Sequence, residues 1–117
     1  MSSMKKRAQN RADVLQGTLD MLILRTLLYG PAHGHQIGKQ IQRTTNDFLQ
    51  MQHGSLYPAL HRLEKRGWLE ADWGESGSGR PAKFYKLSRK GRKQLAKEET
   101  TWQRLSHAIA LVLQTVD

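Results

Sequence analysis

The chain has 117 residues, long enough for one modest hydrophobic core and too short for two. Its net charge of +9 and pI of about 10.3 suit a polyanionic partner, either nucleic acid or an anionic surface. It has no cysteine, which excludes disulfides and thiolate metal sites, and no apolar run approaches the roughly 20 residues a bilayer requires.

The opening MSSMKKRAQNRAD has neither an apolar stretch nor a small-residue cleavage site, so a cytoplasmic protein of bacterial style is expected. Residues 1–16, with Lys5, Lys6, Arg7 and Arg11, are expected to form a basic arm or short helix. From Gly17 or Thr18, the residues Leu19, Met21, Leu22, Ile23, Leu24, Leu27 and Leu28 leave hardly any polar face. That pattern predicts a buried central helix, ended by Gly30-Pro31. A second helix is predicted from His33 to Thr45, with Ile37 and Ile41 inward and Lys39, Gln40 and Arg43 off that stripe. Asn46-Asp47 breaks it.

In GSLYPALHRLEKRGWLE (54–70), Leu56, Leu60 and Leu63 recur at i, i+4 and i+7, which predicts a third helix stopped by Gly67. Its other face carries Tyr57, Pro58, His61, Arg62 and Lys65. If Ser55 caps this helix, Pro58 falls in the first turn, where no intrahelical bond is lost. A start near His53 instead makes the proline a kink. Either start leaves amides among Gly54, Ser55, Leu56 and Tyr57 as candidate phosphate ligands at the positive helix end.

Two alternating segments, Trp68 to Trp73 and Lys83 to Leu87, predict a two-stranded hairpin around a flexible GESGSGRPA loop. That loop is no phosphate-binding P-loop, because Gly-Lys-Ser/Thr does not follow. Between Arg80 and Lys93, seven of fourteen residues are basic and none is acidic. From Ser88 to Val116 one long helix is predicted. Its Leu95, Trp102, Leu105, Ile109, Val112 and Val116 are spaced 7, 3, 4, 3 and 4, a seam of period 3.5. A rod of about 40 Å outreaches so small a domain, so a second copy of the chain is the expected cover.

This order is that of a winged helix-turn-helix: mainly α, with a two-stranded β wing and a long C-terminal dimerisation helix. The expected division is 1–16 as arm, 17–87 as the DNA-binding domain and 88–117 as the dimerisation helix. The segments GPAHGHQIGKQI, GSLYPALHRLEKRGWLEADW and GRPAKFYKLSRKGRKQL resemble the signature segments of the PadR family of bacterial transcriptional regulators. The resemblance runs from about Thr18 to Leu95. It implies a dimeric repressor of the smaller subfamily, with a single C-terminal helix. At His35 the chain departs from the tyrosine usual in that family, which leaves open whether His35 keeps the aromatic packing or alters a phosphate or effector contact.

The expected DNA-contacting residues are Lys39, His53, Ser55, Tyr57, His61, Arg62, Lys65, Arg80 and Lys83. Ser55 and Tyr57 would bind phosphate, and packing against the second helix is the other reading of Tyr57. His61, Arg62 and Lys65 would meet base edges or flanking phosphates. Arg80 on the wing would enter the minor groove with Lys83 on a phosphate beside it. Trp102 fills the dimer seam or, paired with its copy, forms a slot for a small aromatic effector, as the resemblance implies for some relatives. No cofactor or metal is expected, since the five histidines show no metal-ligand spacing with a partner acid. No acid/base pair or activated nucleophile points to an enzyme. A sequence-tolerant architectural DNA- or RNA-binding protein explains the charge equally well but leaves the seam without a purpose. A winged helix for protein contacts alone leaves the basic wing unexplained.

Overall fold

The computed structural model describes residues 17–115. Its elements are a helix over 17–26 (α1), a 3-10 turn at Leu27–Tyr29, β1 at Ala32–His33, and α2 at Gly34–Thr44. Then follow α3 at His53–Lys65, β2 at Leu69–Glu75, β3 at Pro81–Leu87, and α4 at Arg89–Leu113. The expected arm at 1–16 and the seam residue Val116 lie outside the described residues.

One core joins these elements. Ile23, Leu24 and Leu27 from the first segment meet Ile37 and Ile41 of α2 and Leu56, Ala59, Leu60 and Leu63 of α3. Leu69, Tyr85 and Leu87 of the sheet and Leu95 of α4 close the cluster. The largely apolar first helix is thus central, as its composition predicts, with Asp20 buried among its leucines and Arg25 on its exposed side. It gives way to the 3-10 turn one residue before Leu27, and Gly30 then reverses the chain at φ 136°, a region that favours glycine.

The sheet has three strands where the sequence predicts two. Its order is β1-β3-β2, all antiparallel, with Ala32 and His33 opposite Tyr85 and Phe84. Two residues between a proline and a helix carry no readable alternation, which is why β1 escapes sequence reading. The wing is also longer and tighter than expected. Gly74 and Glu75 pair with Ala82 and Pro81, so only residues 76–80 turn the hairpin. Ser76 N–H donates to the Arg80 carbonyl at 2.9 Å, Gly79 N–H donates to the Ser76 carbonyl at 2.9 Å, and Gly79 takes φ 79°. A three-residue loop ending in a left-handed glycine suits the twist of an antiparallel pair.

α2 begins with a reciprocal cap. Gln36 N–H donates to His33 Nδ1 at 3.3 Å, and His33 N–H donates to Gln36 Oε1 at 3.1 Å. Its end is fixed by Asn46 and Asp47, both left-handed at φ 51° and 65°. The Thr45 hydroxyl donates to the Ile41 carbonyl and accepts from Leu49 N–H at 3.0 Å. That connection sets the angle at which α3 leaves α2.

α4 starts at a joint with the α3–β2 connection. Ser88 Oγ accepts from Gly91 N–H at 2.9 Å as N-cap and donates to the Gly67 carbonyl at 2.6 Å. Ser88 N–H donates to the Trp68 carbonyl at 3.0 Å. A Cβ on Gly91 would lie 2.1 Å from the Trp68 carbonyl oxygen, so the helix docks this closely only on a glycine. Leu95 is 4% exposed and belongs to this core. It is therefore removed from the expected dimer seam, because the joint holds the first turns of α4 against the body of the domain.

In Gly91→Ala the helix-propensity gain of about 1 kcal/mol is outweighed by contact with an immobile backbone oxygen. The expected net loss is about 2 kcal/mol, read as a fall of roughly 10 °C in Tm. Ser88→Ala is expected to cost about 1 kcal/mol in the same melt.

Candidate nucleic-acid interface

α3 begins at His53, and Gln52 caps it without a side-chain hydrogen bond. Pro58 therefore stands as the sixth residue of the helix, past the first turn, and the Gly54 carbonyl loses the amide it would otherwise accept from. Gly54 is exposed, so water satisfies that carbonyl at little cost. The amides of Ser55 and Leu56 donate to the Gln52 carbonyl at 3.0 and 2.9 Å. The open donors at this helix start are consequently those of His53 and Gly54; of the amides the sequence suggests, Ser55 and Leu56 are engaged and Gly54 stays open.

His53, Ser55, Tyr57, His61 and Lys65 are all exposed on the same helix. Tyr57 takes the packing place that was the other reading of it, against the start of α2. Its ring lies so close to α2 that a Cβ on Gly34 would sit 2.6 Å from it, and it meets the His53 ring edge-on at 5.4 Å. At 43% exposure, the side chain remains open to solvent as well.

Arg62 departs from expectation. Its guanidinium turns inward and donates to the Asp20 carboxylate of α1, and the two side chains are only 23% and 7% exposed. It stitches α3 to α1 rather than reading bases. Burial outweighs Arg62 and pushes the Asp20 carboxyl above the usual carboxylate range. Glu98 of α4 belongs to the same cluster. Gln94 Nε2 donates to its Oε1 at 3.2 Å, while among the described residues its buried Oε2 has no hydrogen-bond partner. Burial first, with the Asp20 charge adding to it, raises the Glu98 pKa against the pull of Gln94 and Arg66.

Lys83 is also engaged. Its ammonium donates to Glu64 Oε1 of α3 at 2.7 Å, which ties the wing to the helix and raises the Lys83 pKa. Arg80 is exposed at the hairpin tip. Lys39 lies apart from both, on the exposed side of α2 among His35, Gln36, Gln40 and Arg43.

Arg80, Lys83 and Tyr57 come together in one groove of about 760 Å³ between the wing and the start of α2, to which α3 contributes Tyr57. His33, His35 and Trp73 line it too; the sequence pattern singles out neither His33 nor Trp73 as a contact, and raises His35 only as an alternative to packing. The signal for His33 and His35 lay in β1, which brings the α2 start against β3. His35 does retain ring packing, stacked on His33 at 6.3 Å, and His33 meets Phe84 edge-on at 5.4 Å.

Trp102, Leu105, Ile109 and Val112 are 44%, 49%, 47% and 71% exposed along α4, an apolar stripe without cover among the described residues. Among the described residues no helix is long and apolar enough to cross a membrane, and no His/Cys/Asp/Glu group is arranged for a metal.

Three helices in sequence, the third with a basic exposed face, and a hairpin beside it define a winged helix-turn-helix of the DNA-binding class. Residues 23–97 match the transcriptional regulator PadR-like family, and the chain belongs to it. It is similar to a transcriptional regulator from Clostridium thermocellum, at 28% identity and TM-score 0.76, covering 84% of this chain and 95% of that one. A PadR family regulator from Eggerthella lenta is likewise 28% identical, with TM-score 0.75 over 99% and 100% of the two chains. An uncharacterized protein of Lysinibacillus sphaericus is 30% identical over 107 residues, 92% of this chain and 98% of its own. The family is one of DNA-binding transcriptional regulators, not of enzymes.

The raised pKa of Glu98 fixes a sign. The folded state holds the proton more tightly than the unfolded chain, so the wild type gains stability as pH falls from neutrality toward the ordinary glutamate value and loses it as pH rises. Glu98→Gln removes that dependence. The Tm difference, variant minus wild type, is expected to shrink between pH 7.5 and pH 5, and a constant difference would contradict the assignment.

Proposed function

We propose that the protein is a repressor that binds a pseudo-palindromic operator as a homodimer. The observation that carries this reading is the pairing of an exposed α3 and wing, with their groove, with an uncovered apolar stripe on α4. The stripe from Trp102 to Val112 is the surface a second copy would cover, and α4, about 37 Å long at 25 residues, gives that contact a lever arm. Two recognition helices then meet half-sites about 34–36 Å apart. The division into an N-terminal arm, a DNA-binding domain over 17–87 and a dimerisation helix over 88–117 follows the same logic.

In this reading the open amides of His53 and Gly54, with Ser55 and Tyr57, hold phosphate at the mouth of the groove. His61 and Lys65 lie further along α3 toward the bases. Arg80 reaches the minor groove or its phosphates, and Lys39 is an outlying backbone contact. A planar aromatic effector between paired Trp102 side chains would turn the α4 helices and carry the α3 helices out of register with the DNA. The protein would then act in the cytoplasm.

Light scattering with labelled-DNA anisotropy tests the dimer. Ile109→Asp is expected to give a monomer whose Kd for operator DNA rises at least about tenfold, since two half-sites no longer act together. A variant that stays dimeric, or a monomer that binds as tightly, would contradict the seam. Arg80→Ala is expected to weaken binding to all duplexes and to lower the salt slope by about one. An effect confined to one base position would contradict its backbone role.

A further inference from the structure

Among the groove residues, Trp73 has no structural task. Register places it opposite Lys83, as Ala71 lies opposite Tyr85 and Leu69 opposite Leu87, so these six share one face of the hairpin. That face packs on α3, since Leu69, Tyr85 and Leu87 are buried in the core and Lys83 pairs with Glu64. The wing outruns the helix that covers it. Trp73 is consequently 73% exposed although it sits on the inward face.

The two faces differ in charge. The outward face carries Glu70 and Asp72, with Glu70 paired to Lys86 at 3.4 Å. On the inward face the carboxylates are Glu64, which Lys83 engages, and Glu75 at the strand end, which does not line the groove. The groove floor and walls are therefore aromatic and cationic: Tyr57 and the His33–His35 stack on one side, Trp73 with Arg80 and Lys83 on the other. An exposed indole beside cations suits an object with apolar ridges between anionic groups. A deoxyribose–phosphate strand has that form, with sugars for the indole face and phosphates for the cations.

We propose that Trp73 is a DNA-contacting residue, packing its indole against the sugars of the strand that runs between α3 and the wing. The inference rests on the DNA-binding reading above and adds to it a wing contact that supplies affinity without reading sequence. It also gives the inward face of the wing tip a cover that the described residues do not supply.

The test uses the full chain and a fluorescein-labelled duplex, with anisotropy reporting binding and tryptophan emission reporting Trp73. Trp73→Phe serves as the subtraction control, leaving Trp68 and Trp102 in place. DNA is expected to quench and shield from acrylamide an emission component that is present in wild type and absent in Trp73→Phe. Trp73→Ala is expected to raise Kd about five- to tenfold for specific and scrambled duplexes alike, with Trp73→Phe recovering most of it. Because Trp73 is exposed, circular dichroism melts of both variants are expected to match wild type. Normal DNA binding with Trp73 still open to acrylamide, or Trp73→Ala binding at wild-type affinity, would overturn the proposal and leave the regulator reading intact. Failure of the wild type to bind any duplex would overturn both.

Discussion

The geometry of this molecule depends on the joint at Ser88. One hydroxyl caps α4 through Gly91 N–H and at the same time donates to the Gly67 carbonyl at the end of the α3 turn. Gly91 lets the helix backbone press on the Trp68 carbonyl, and Gly67 takes φ 79° to bring that carbonyl there. Lys90 Nζ adds a hydrogen bond to the Arg66 carbonyl at 3.1 Å. Recognition helix, wing base and long helix thus meet within a few residues. The backbones are already in contact at this joint, which holds α4 and the end of α3 in one relative orientation.

Charge is sorted by the same architecture. The basic run from Arg80 to Lys93 is continuous in sequence but serves four places in space. Arg80 is free at the wing tip, Lys83 bridges to α3, and Lys86 pairs across the hairpin with Glu70. Arg89, Lys90, Arg92 and Lys93 lie exposed on the first turns of α4. Inside, Arg62 and Asp20 link α3 to α1, and burial pushes up the carboxyls of Asp20 and of Glu98 on α4. The outer charges suit the surface to a polyanion, while the inner ones determine how the helices that carry that surface are held together.

Much of this was legible in the sequence because the signals were local and periodic. The leucines at 56, 60 and 63 are buried on α3, and Asn46-Asp47 ends α2 in the left-handed conformation their side chains tolerate. What escaped depended on partners distant in sequence. Arg62 has the helix position of a DNA contact, and only the fold shows Asp20 waiting across 42 residues. Leu95 fits the heptad seam as well as it fits the core, because spacing cannot say where a long helix leaves the body of the protein. Pro58 left two helix starts open, and the tertiary position of the Gln52 carbonyl decided for the earlier one. Trp73 reads from the sequence as an ordinary strand aromatic, and its exposure follows from α3 ending short of the wing tip.

The central claim is that these surfaces recognise one DNA sequence, and anisotropy at two salt concentrations tests it most directly. The duplexes are a fragment from upstream of the protein's own gene and a scrambled duplex of equal composition. The account predicts tighter binding to the native fragment, by tenfold or more, with a preference that persists at about 200 mM salt, where non-specific phosphate contacts fade. Equal binding to both duplexes, falling together as salt rises, would contradict it and leave a sequence-tolerant binder governed by the +9 charge.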